Sequence, residues 1–292
     1  MGLAIYLLTL ATFATGTAEN IVIGILPDIA GHLDVPIGLA GQLTSVFSVT
    51  FAVTAPLALV LTRHVPRKRL LCVALVLFIA SSLAAALAGN IWVLFAARIA
   101  MAAASATVCL VATLLATESA PPGLRGRAIG MIFMGISGSL VLGVPAGMVV
   151  CGLFGWRAVF VALALLAAVV LIACHLAVPV SDVLSRHGGG YRRHLSSVPL
   201  ASAQLVSILM IGGHFVLFAY LAPYVVTVVG VAGEGLVLAF LAFGIAGVSG
   251  GYLGGLLSDR LAPRTALLLT PLTYLVALVA IPLFVGRPAL FF

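Results

Sequence analysis

Nine continuous apolar segments constrain the fold of this chain more than any other feature. A membrane-spanning helix needs about 20 apolar residues, and segments of that length cover 4–28, 38–62, 69–89, 91–117, 127–153, 158–179, 198–228, 232–257 and 265–286. Only 7% of the 292 residues are charged, against about 25% in soluble domains. Barrel strands alternate in blocks of about ten residues, whereas these segments are continuously apolar. The sequence predicts an all-α polytopic membrane protein with nine transmembrane helices, and residues 287–292 predict the start of a tenth.

The basic residues are concentrated in the turns after the even-numbered segments. Eleven of the 14 lysine and arginine residues lie there. Because cytoplasmic loops carry an excess of these residues, we expect these turns and the N-terminus to face the cytoplasm, in a multi-pass protein of the cell (inner) membrane. The same distribution explains the net charge of +7 without a nucleic-acid partner. Trp92 and Trp156 fall at predicted outer ends, where they suit an aromatic belt.

A charged turn occurs twice, 197 residues apart. The first copy reads RHVPR at 63–67 and the second RLAPR at 260–264, and each joins two apolar segments. A repeat of this period predicts two similar membrane-embedded halves, as in many transporters. We expect an N-terminal six-helix half over 1–179, a cytoplasmic linker over 180–197 and a partial C-terminal half over 198–292. The chain is therefore expected to be truncated at its C-terminus.

Further motifs follow in order along the chain. The second charged turn fits the pattern G-x-x-x-D-R-x-x-x-R with Gly255, Asp259, Arg260 and Arg264. The first turn keeps the arginines, Arg63 and Arg67, without the glycine and the aspartate. GTAEN at 16–20, GVPAG at 143–147 and FAYLAPY at 218–224 complete the set. Together these residues resemble the twelve-span bacterial drug:proton antiporters of the major facilitator superfamily, near the sugar-efflux and chloramphenicol-resistance permeases.

The resemblance implies a secondary active transporter and not an enzyme. It implies the major facilitator fold, alternating access, and proton-coupled efflux of small amphipathic molecules (drugs or sugars), with drug resistance as a consequence. The expected partners are the small-molecule substrate, protons and the lipid bilayer, and a full-length protein is expected to be a monomer. No cofactor and no metal are expected, because the sequence has no metal-ligand spacing and no phosphate-binding glycine loop. The alternative is a non-transporting, truncated remnant of such a permease.

Two ionisable residues at predicted membrane depth are candidates for proton coupling. Glu19 lies in the first segment and Arg98 in the fourth, at similar depths below the outer side. Such groups are costly in a bilayer and functional by default. We expect Glu19 to carry the proton and Arg98 to tune it. The alternative is a static ion pair that locks the two helices together.

A candidate substrate cavity combines residues of the first and seventh segments. Gly16, Glu19 and Asn20 follow the spacing of one helical face, which Phe13 extends. His214 is a further cavity candidate, with a buried histidine bonded to a carbonyl as the alternative. Tyr220 and Tyr224 could stack on a drug or bond a sugar hydroxyl, with interfacial anchoring as the alternative for Tyr224.

Two mechanical elements are also expected. Gly143, Pro145 and Gly147 form a candidate hinge in the fifth segment, because proline bends a helix and glycines permit close helix contact; ordinary packing is the alternative. The resemblance implies that this helix lies between the halves. The charged turns are candidate gating loops at the cytoplasmic mouth, with Arg63, Arg67, Gly255, Asp259, Arg260 and Arg264. Glu118 is expected to mark a solvated turn.

Overall fold

A computed structural model of the chain describes residues 2–178, 197–224 and 234–280, and every regular element within these ranges is helical. The helices are α1 (Leu3–Gly24), α2 (Leu26–Leu33), α3 (Ile37–Leu61), α4 (Arg67–Ala86), α5 (Ile91–Ser119), α6 (Arg125–Gly138), a π-turn (Ser139–Gly143), α7 (Val144–Phe154), α8 (Trp156–Ala177), α9 (Val198–Tyr224), α10 (Glu234–Arg260) and α11 (Pro263–Ala280). As far as its residues are described, each of the nine predicted spans coincides with a helix or with consecutive helices. The all-α polytopic fold class is therefore confirmed. The predicted start of a tenth span lies outside the described residues.

Six helices in the described part of the chain are long and apolar enough to cross a membrane. They are α1, α3, α4, α5, the continuous run Arg125–Phe154 that joins α6 to α7, and α8. These six correspond to the predicted N-terminal half. Shorter apolar stretches are described in α9 and α11, at Leu200–His214 and Leu268–Val279.

Prolines accompany a helix interruption in the first predicted span and a helix irregularity in the fifth. The first span was expected to reach residue 28, but α1 ends at Gly24 and α2 starts at Leu26 with Pro27 in its first turn. Proline lacks the backbone donor that would bind the carbonyl four residues earlier, so a continuous helix is interrupted there. In the fifth span, Pro145 is the second residue of α7, which directly follows the π-turn. A π-turn inside an α-helix is rare and is frequently found at functional sites.

Two buried apolar clusters fill the bundle formed by α1–α8. The first includes Ile21, Phe47, Phe78, Met101 and Phe160. The second includes Leu8, Leu75, Val108, Ile132 and Val170. α1, α4, α5 and α8 contribute to both clusters, and among the six long apolar helices α1 and α5 are the most buried. The outward-facing residues of the same helices are mostly large and apolar, as a bilayer requires.

Trp156 corrects one expectation from the sequence. Its side chain is only 2% exposed, because Gly155, with a φ of 82°, starts α8 in a direction that turns the indole inward against Phe160. The Arg157 guanidinium covers the indole at 4.4 Å. A place for Trp156 in a lipid-facing belt is therefore wrong, whereas Trp92 is 70% exposed.

The chain forms two compact units. One contains Met1–Ser185 together with Gly247–Asp259, and the other contains Arg186–Ala246 together with Arg260–Phe292. Within the second unit, α9 packs against α11. The predicted linker over 180–197 lies, except for Ser197, outside the described residues. The division into halves at that linker stays a prediction.

Candidate functional site

Arg98 is a charged residue enclosed at the centre of the six-helix bundle. It lies two turns into α5, which Asn90 starts by accepting a hydrogen bond from the backbone N–H of Val93 at 3.0 Å. The Arg98 side chain is 0% exposed and lies among the residues of the first apolar cluster. Burying a guanidinium costs several kcal/mol unless other groups compensate its charge, on the order of the penalty for any buried ion. The groups around Arg98 must therefore compensate its charge.

The Arg98 guanidinium binds the backbone of α1. Nη1 donates a hydrogen bond to the carbonyl of Ala18 at 2.6 Å, and Nη2 donates to the backbone carbonyl of Glu19 at 3.5 Å. Nη1 also lies 3.7 Å from the sulfur of Met101. The phenyl ring of Phe47, on α3, lies 4.2 Å from the Arg98 Cζ atom. Arg98 therefore joins α1, α3 and α5 through a single charged group.

The Glu19 carboxylate does not take part in this link. Glu19 is half-buried, and its carboxylate oxygens are not within the 4.0 Å of the Arg98 nitrogens that defines a salt bridge. The described residues thus show no static ion pair between Glu19 and Arg98. The backbone carbonyls of α1 replace it as the lock between helices. Arg98 is therefore next to the Glu19 main chain while the Glu19 side chain remains unpaired with it.

The predicted cavity face of α1 is divided between open and enclosed positions. Phe13 and Asn20 are half-buried, and the Asn20 amide donates to the Gly16 carbonyl at 2.9 Å. Gly16 is buried: a Cβ there would lie 2.7 Å from the Ser139 hydroxyl of the π-turn. Gly16 therefore has a packing function, and its assignment to the cavity stays a prediction together with those of Phe13 and Asn20.

Small residues bring the fifth span very close to α1. A Cβ on Gly135 would lie 2.5 Å from the Thr12 hydroxyl, one on Gly143 would lie 2.9 Å from Thr17 Cγ2, and one on Gly147 would lie 2.5 Å from Ile21 Cδ1. The Thr12 hydroxyl also donates to the Ile132 carbonyl at 3.1 Å. No side chain fits between the helices at these glycines.

The predicted hinge residues surround the π-turn. Gly143 ends it, Pro145 follows in the first turn of α7, and Gly147 lies one turn further on. Pro145 is exposed, whereas Gly143 and Gly147 are buried against α1. Close packing against α1 is enough to explain the two glycines. The π-turn is the irregular element at which a hinge would bend. The hinge itself stays a prediction.

The first charged turn contains an ion pair that the sequence did not indicate. Arg67, at the start of α4, pairs with Glu118 in the last turn of α5. Glu118 and the turn that follows it are exposed, as expected of a solvated turn, and the Glu118 side chain is 28% exposed within the pair. Arg63 is exposed, and its Nε donates to the His64 ring at 2.9 Å. Arg67 therefore links two helix ends, whereas Arg63 faces outward.

Asp259 caps the N-terminus of α6. Its two carboxylate oxygens accept hydrogen bonds from the backbone N–H groups of Gly126 at 2.6 Å and Arg127 at 3.0 Å. Arg127 Nε lies 3.7 Å from the same carboxylate. The first N–H groups of a helix lack intrahelical partners and carry partial positive charge. The Asp259 side chain, which is 7% exposed, is therefore held by a helix terminus.

Gly255 permits this cap. A Cβ at Gly255 would lie 2.8 Å from the Gly126 carbonyl and 3.0 Å from Arg127 Cα. The matching Gly130 would place a Cβ 3.1 Å from Gly255 Cα. The glycine and the aspartate of the second charged turn thus act together, since the glycine allows the approach and the aspartate binds the helix end.

The other predicted site residues belong to the C-terminal helices. His214 is exposed and stacks on Phe243 at 5.1 Å between ring centroids; its assignment to the cavity stays a prediction. Tyr220 and Tyr224 lie in α9, with side chains outside the described part. Arg260 is exposed at the end of α10, and the Arg264 side chain in α11 is also outside it.

Three contributors to these contacts were missed by the sequence analysis. Phe47 is one of 15 phenylalanines, so its position over Arg98 had no signal. Glu118 could have been recognised as a helix-end partner, because it is one of only seven acidic residues and follows a long apolar run. Gly126 follows Arg125 at the start of a predicted helix, so its backbone N–H group could have been recognised as one that lacks an intrahelical partner.

The sequence is similar to those of known membrane transporters. It matches the profile of the Major Facilitator Superfamily over residues 8–292. The chloramphenicol resistance protein of Streptomyces lividans is 32% identical over 99% of this chain and 73% of its own length. A chloramphenicol efflux pump of Mycobacterium tuberculosis is 36% identical over 82% of this chain and 59% of its own length. The uncharacterized MFS-type transporter YbcL of Bacillus subtilis is 33% identical over 88% of this chain and 66% of its own length.

A comparison with solved structures agrees. The proton:xylose symporter XylE, solved with 6-bromo-6-deoxy-D-glucose, superposes with a TM-score of 0.68 at 16% identity, over 87% of this chain and 68% of that one. This likeness concerns the fold alone. The chain spans about two thirds of the length of the curated relatives it matches. The family profile, the identities to these transporters and the helical fold agree, and the chain belongs to the major facilitator superfamily of membrane transporters.

Proposed function

We propose that this protein exports small amphipathic molecules in exchange for protons, with Glu19 as the proton carrier and Arg98 as the residue that tunes it. The observation that carries the proposal is the enclosed Arg98 guanidinium bonded to the backbone carbonyls of Ala18 and Glu19. A charge at membrane depth is rare and marks ion or substrate pathways. Glu19 itself is half-buried, so a proton can reach a carboxyl group that lies beside a fixed positive charge.

The proposed cycle uses the link between Arg98 and α1. A nearby charge alters the proton affinity of a carboxyl group, so any movement of α1 relative to α5 changes how firmly Glu19 holds its proton. In the outward-facing state Glu19 takes up a proton from outside. In the inward-facing state it releases that proton to the cytoplasm, and substrate binds. Because Arg98 holds the main chain of Glu19, it transmits helix movement to the carboxyl group.

The proposed substrates are drugs or sugars of modest size and mixed polarity. Two relatives are named for chloramphenicol, a neutral molecule with apolar and hydrogen-bonding parts, which makes it the first substrate to test. Phe13 and Asn20, both half-buried on α1, offer an aromatic face and an amide of the matching kind. Gly16 on α1 and His214, Tyr220 and Tyr224 on α9 are further proposed substrate contacts.

The charged turns and the π-turn are the proposed moving parts. Asp259 on the α6 terminus and the pair between Arg67 and Glu118 are polar links at helix ends, which can break and reform as the protein changes state. Gly255, Arg63, Arg260 and Arg264 complete the proposed gating loops. The π-turn with Gly143, Pro145 and Gly147 is the proposed hinge of the fifth span.

We further propose that the N-terminus faces the cytoplasm in the inner membrane and that a monomer transports. Support for the orientation comes from the eleven basic residues in the turns of one side. A six-helix half over 1–179, a linker over 180–197 and a C-terminal half from 198 are the proposed organisation. The charged-turn repeat supports it.

The proposal is tested by Glu19→Gln in everted membrane vesicles that contain the protein expressed from its complete reading frame. Chloramphenicol is added, and substrate-induced proton release is followed with a pH-sensitive dye. Glutamine keeps the shape of the side chain but cannot carry a proton. Wild type is expected to release protons on substrate addition, and Glu19→Gln is expected to lose at least 90% of that signal. A tenfold lower rate corresponds to an activation free energy that is higher by roughly 1.4 kcal/mol.

The matched control is Asp28→Asn, which makes the same chemical change at an exposed carboxylate on α2. It is expected to keep proton release within about twofold of wild type. Undiminished proton release by Glu19→Gln, at equal amounts of inserted protein, would reject Glu19 as the carrier. If the wild type is silent with chloramphenicol and with a panel of hydrophobic drugs and sugars, the alternative of a non-transporting remnant gains support.

A further inference from the structure

We infer that Phe47 is a positioning residue of the coupling site. Its ring holds the Arg98 guanidinium against the backbone carbonyls of α1 and so keeps it off the Glu19 carboxylate. The inference rests on the proposed function, because it gives Phe47 a part in proton coupling through Glu19. The residue that touches the proton remains Glu19, and Phe47 acts on it only through Arg98.

The position of Phe47 is specific. It is 0% exposed on α3, a helix whose other side chains are largely exposed. The Arg98 Cζ atom lies 4.2 Å from the centre of its ring, well inside the roughly 6 Å over which a cation is attracted to an aromatic face. The ring face carries partial negative charge. Phe47 therefore supplies part of the electrostatic compensation for a charge that has no access to water.

The compensation for Arg98 is otherwise incomplete. Among the described residues, the Arg98 Nε atom is buried without a hydrogen-bond partner, and the carbonyl bonds of Nη1 and Nη2 are 2.6 and 3.5 Å long. A buried charge that loses a partner is driven toward any remaining group of opposite sign. Glu19 offers the carboxylate on the residue whose carbonyl Arg98 already approaches. Without the ring, the guanidinium is expected to turn to that carboxylate.

The expected consequence is specific to proton transfer. A carboxylate in an enclosed ion pair stays ionised and no longer exchanges its proton freely. Substrate exchange across the membrane, in which one molecule enters as another leaves, needs no net proton transfer. Loss of the Phe47 ring is therefore expected to slow proton-coupled transport and to leave substrate exchange intact.

The first experiment measures the reactivity of Glu19 in the 292-residue chain itself. Dicyclohexylcarbodiimide reacts with protonated carboxyl groups in apolar surroundings, and mass spectrometry quantifies the modified peptide. Phe47→Leu and Phe47→Met both replace the ring with an apolar side chain. We expect Glu19 to be labelled about tenfold more slowly in both variants than in wild type, since an attraction of the size reported for enclosed cations is worth at least this factor.

Phe51→Leu is the matched control. Phe51 lies one turn along α3 and stacks on Phe47 with ring centroids 6.3 Å apart, so its loss removes an equal ring from the same packing. Labelling in Phe51→Leu is expected within twofold of wild type. If Phe47 only fills space, its loss loosens the site, and both Phe47 variants will label as fast as wild type or faster. That result overturns the inference.

The second experiment separates the inference from the proposed function. In vesicles with the protein from its complete reading frame, the Phe47 variants are expected to lose about tenfold in proton-driven chloramphenicol transport and to keep exchange and the substrate KM within twofold. Equal losses in both modes, or no loss in either, overturn the inference. Coupled transport that survives Glu19→Gln rejects the proposed function instead, whatever the labelling shows.

Discussion

Arg98 shows how a single enclosed charge can organise three helices without an ion pair. Its guanidinium binds two carbonyls of α1 and lies against the Phe47 ring of α3. Main-chain carbonyls cannot gain or lose a proton, so this link persists whatever the protonation state of Glu19. The separation of the mechanical link from the titratable group is the main reason to assign the two functions to different residues.

At the residue scale, the charge of Asp259 is expected to stabilise the junction between α10 and α6. Asp259→Asn keeps the size of the side chain, but its NH₂ group would face an N–H donor of α6 and the negative charge at the helix terminus is lost. We expect a loss of about 0.5–2 kcal/mol. The measurement is thermal unfolding of the purified protein in detergent.

Asp34→Asn is the control for that measurement. Asp34 has a φ of 51°, a conformation that asparagine also tolerates, so the same chemical change is expected to leave the unfolding temperature unchanged. If Asp259→Asn unfolds at the same temperature as Asp34→Asn, the carboxylate does not hold the end of α6.

The sequence supports some residue assignments better than others. Glu19 and Arg98 could be selected in advance because charges are rare in apolar segments. The contact between Arg98 and the backbone could not be predicted, because carbonyl groups leave no trace in the sequence. A motif identifies Asp259, but its partners are backbone N–H groups of a helix 132 and 133 positions away, which the motif does not indicate. Phe47 had neither kind of signal.

At the element scale, the fifth span is shaped to fit α1. Pro145 and the glycine positions are visible in the sequence and distinguish this span from the others. The π-turn was not predictable from them, because the same proline and glycines are compatible with a simple kink. The same span contains the tightly packed Gly143 and Gly147 and the proposed bend at Pro145. Packing and bending therefore have to be tested with different substitutions.

Gly143→Ala is expected to destabilise the bundle. A Cβ at this position meets Thr17, with Cγ2 at 2.9 Å, and overpacking of this kind costs about 1–3 kcal/mol. Gly152→Ala, in α7, provides the control because a Cβ there has no neighbour within 4 Å. Thermal unfolding in detergent compares the two variants. Equal unfolding temperatures would mean that α1 and the fifth span separate easily, and that their close contact does not stabilise the bundle.

At the scale of the whole molecule, the positions of the apolar spans in the described part of the chain followed from the sequence, because apolar length is a strong signal. The interruption at Ile25 did not, since Pro27 lies inside a continuous apolar run. Trp156 shows the other limit. A tryptophan at a helix end suits either an interface or a core, and only the turn at Gly155 decides between them.

The orientation of the whole chain is open to a direct test. In a background without the native cysteines, Gly89→Cys lies in the exposed turn between α4 and α5, and Pro122→Cys lies in the exposed turn between α5 and α6. An impermeant maleimide is expected to label Gly89→Cys in intact cells and Pro122→Cys only after lysis. The reverse pattern would place the N-terminus outside and would invalidate the proposed direction of proton flow.

The π-turn has a consequence for the phase of the fifth span. An α-helix advances about 100° per residue, so Gly135 and Gly147, twelve positions apart, would point about 120° away from each other in a regular helix. A π-turn adds one residue without advancing the helix, which reduces the difference to roughly 20°. The glycines can therefore all face α1. Removing one residue between 139 and 143 would keep every glycine in the chain and still turn Gly147 away from its partner.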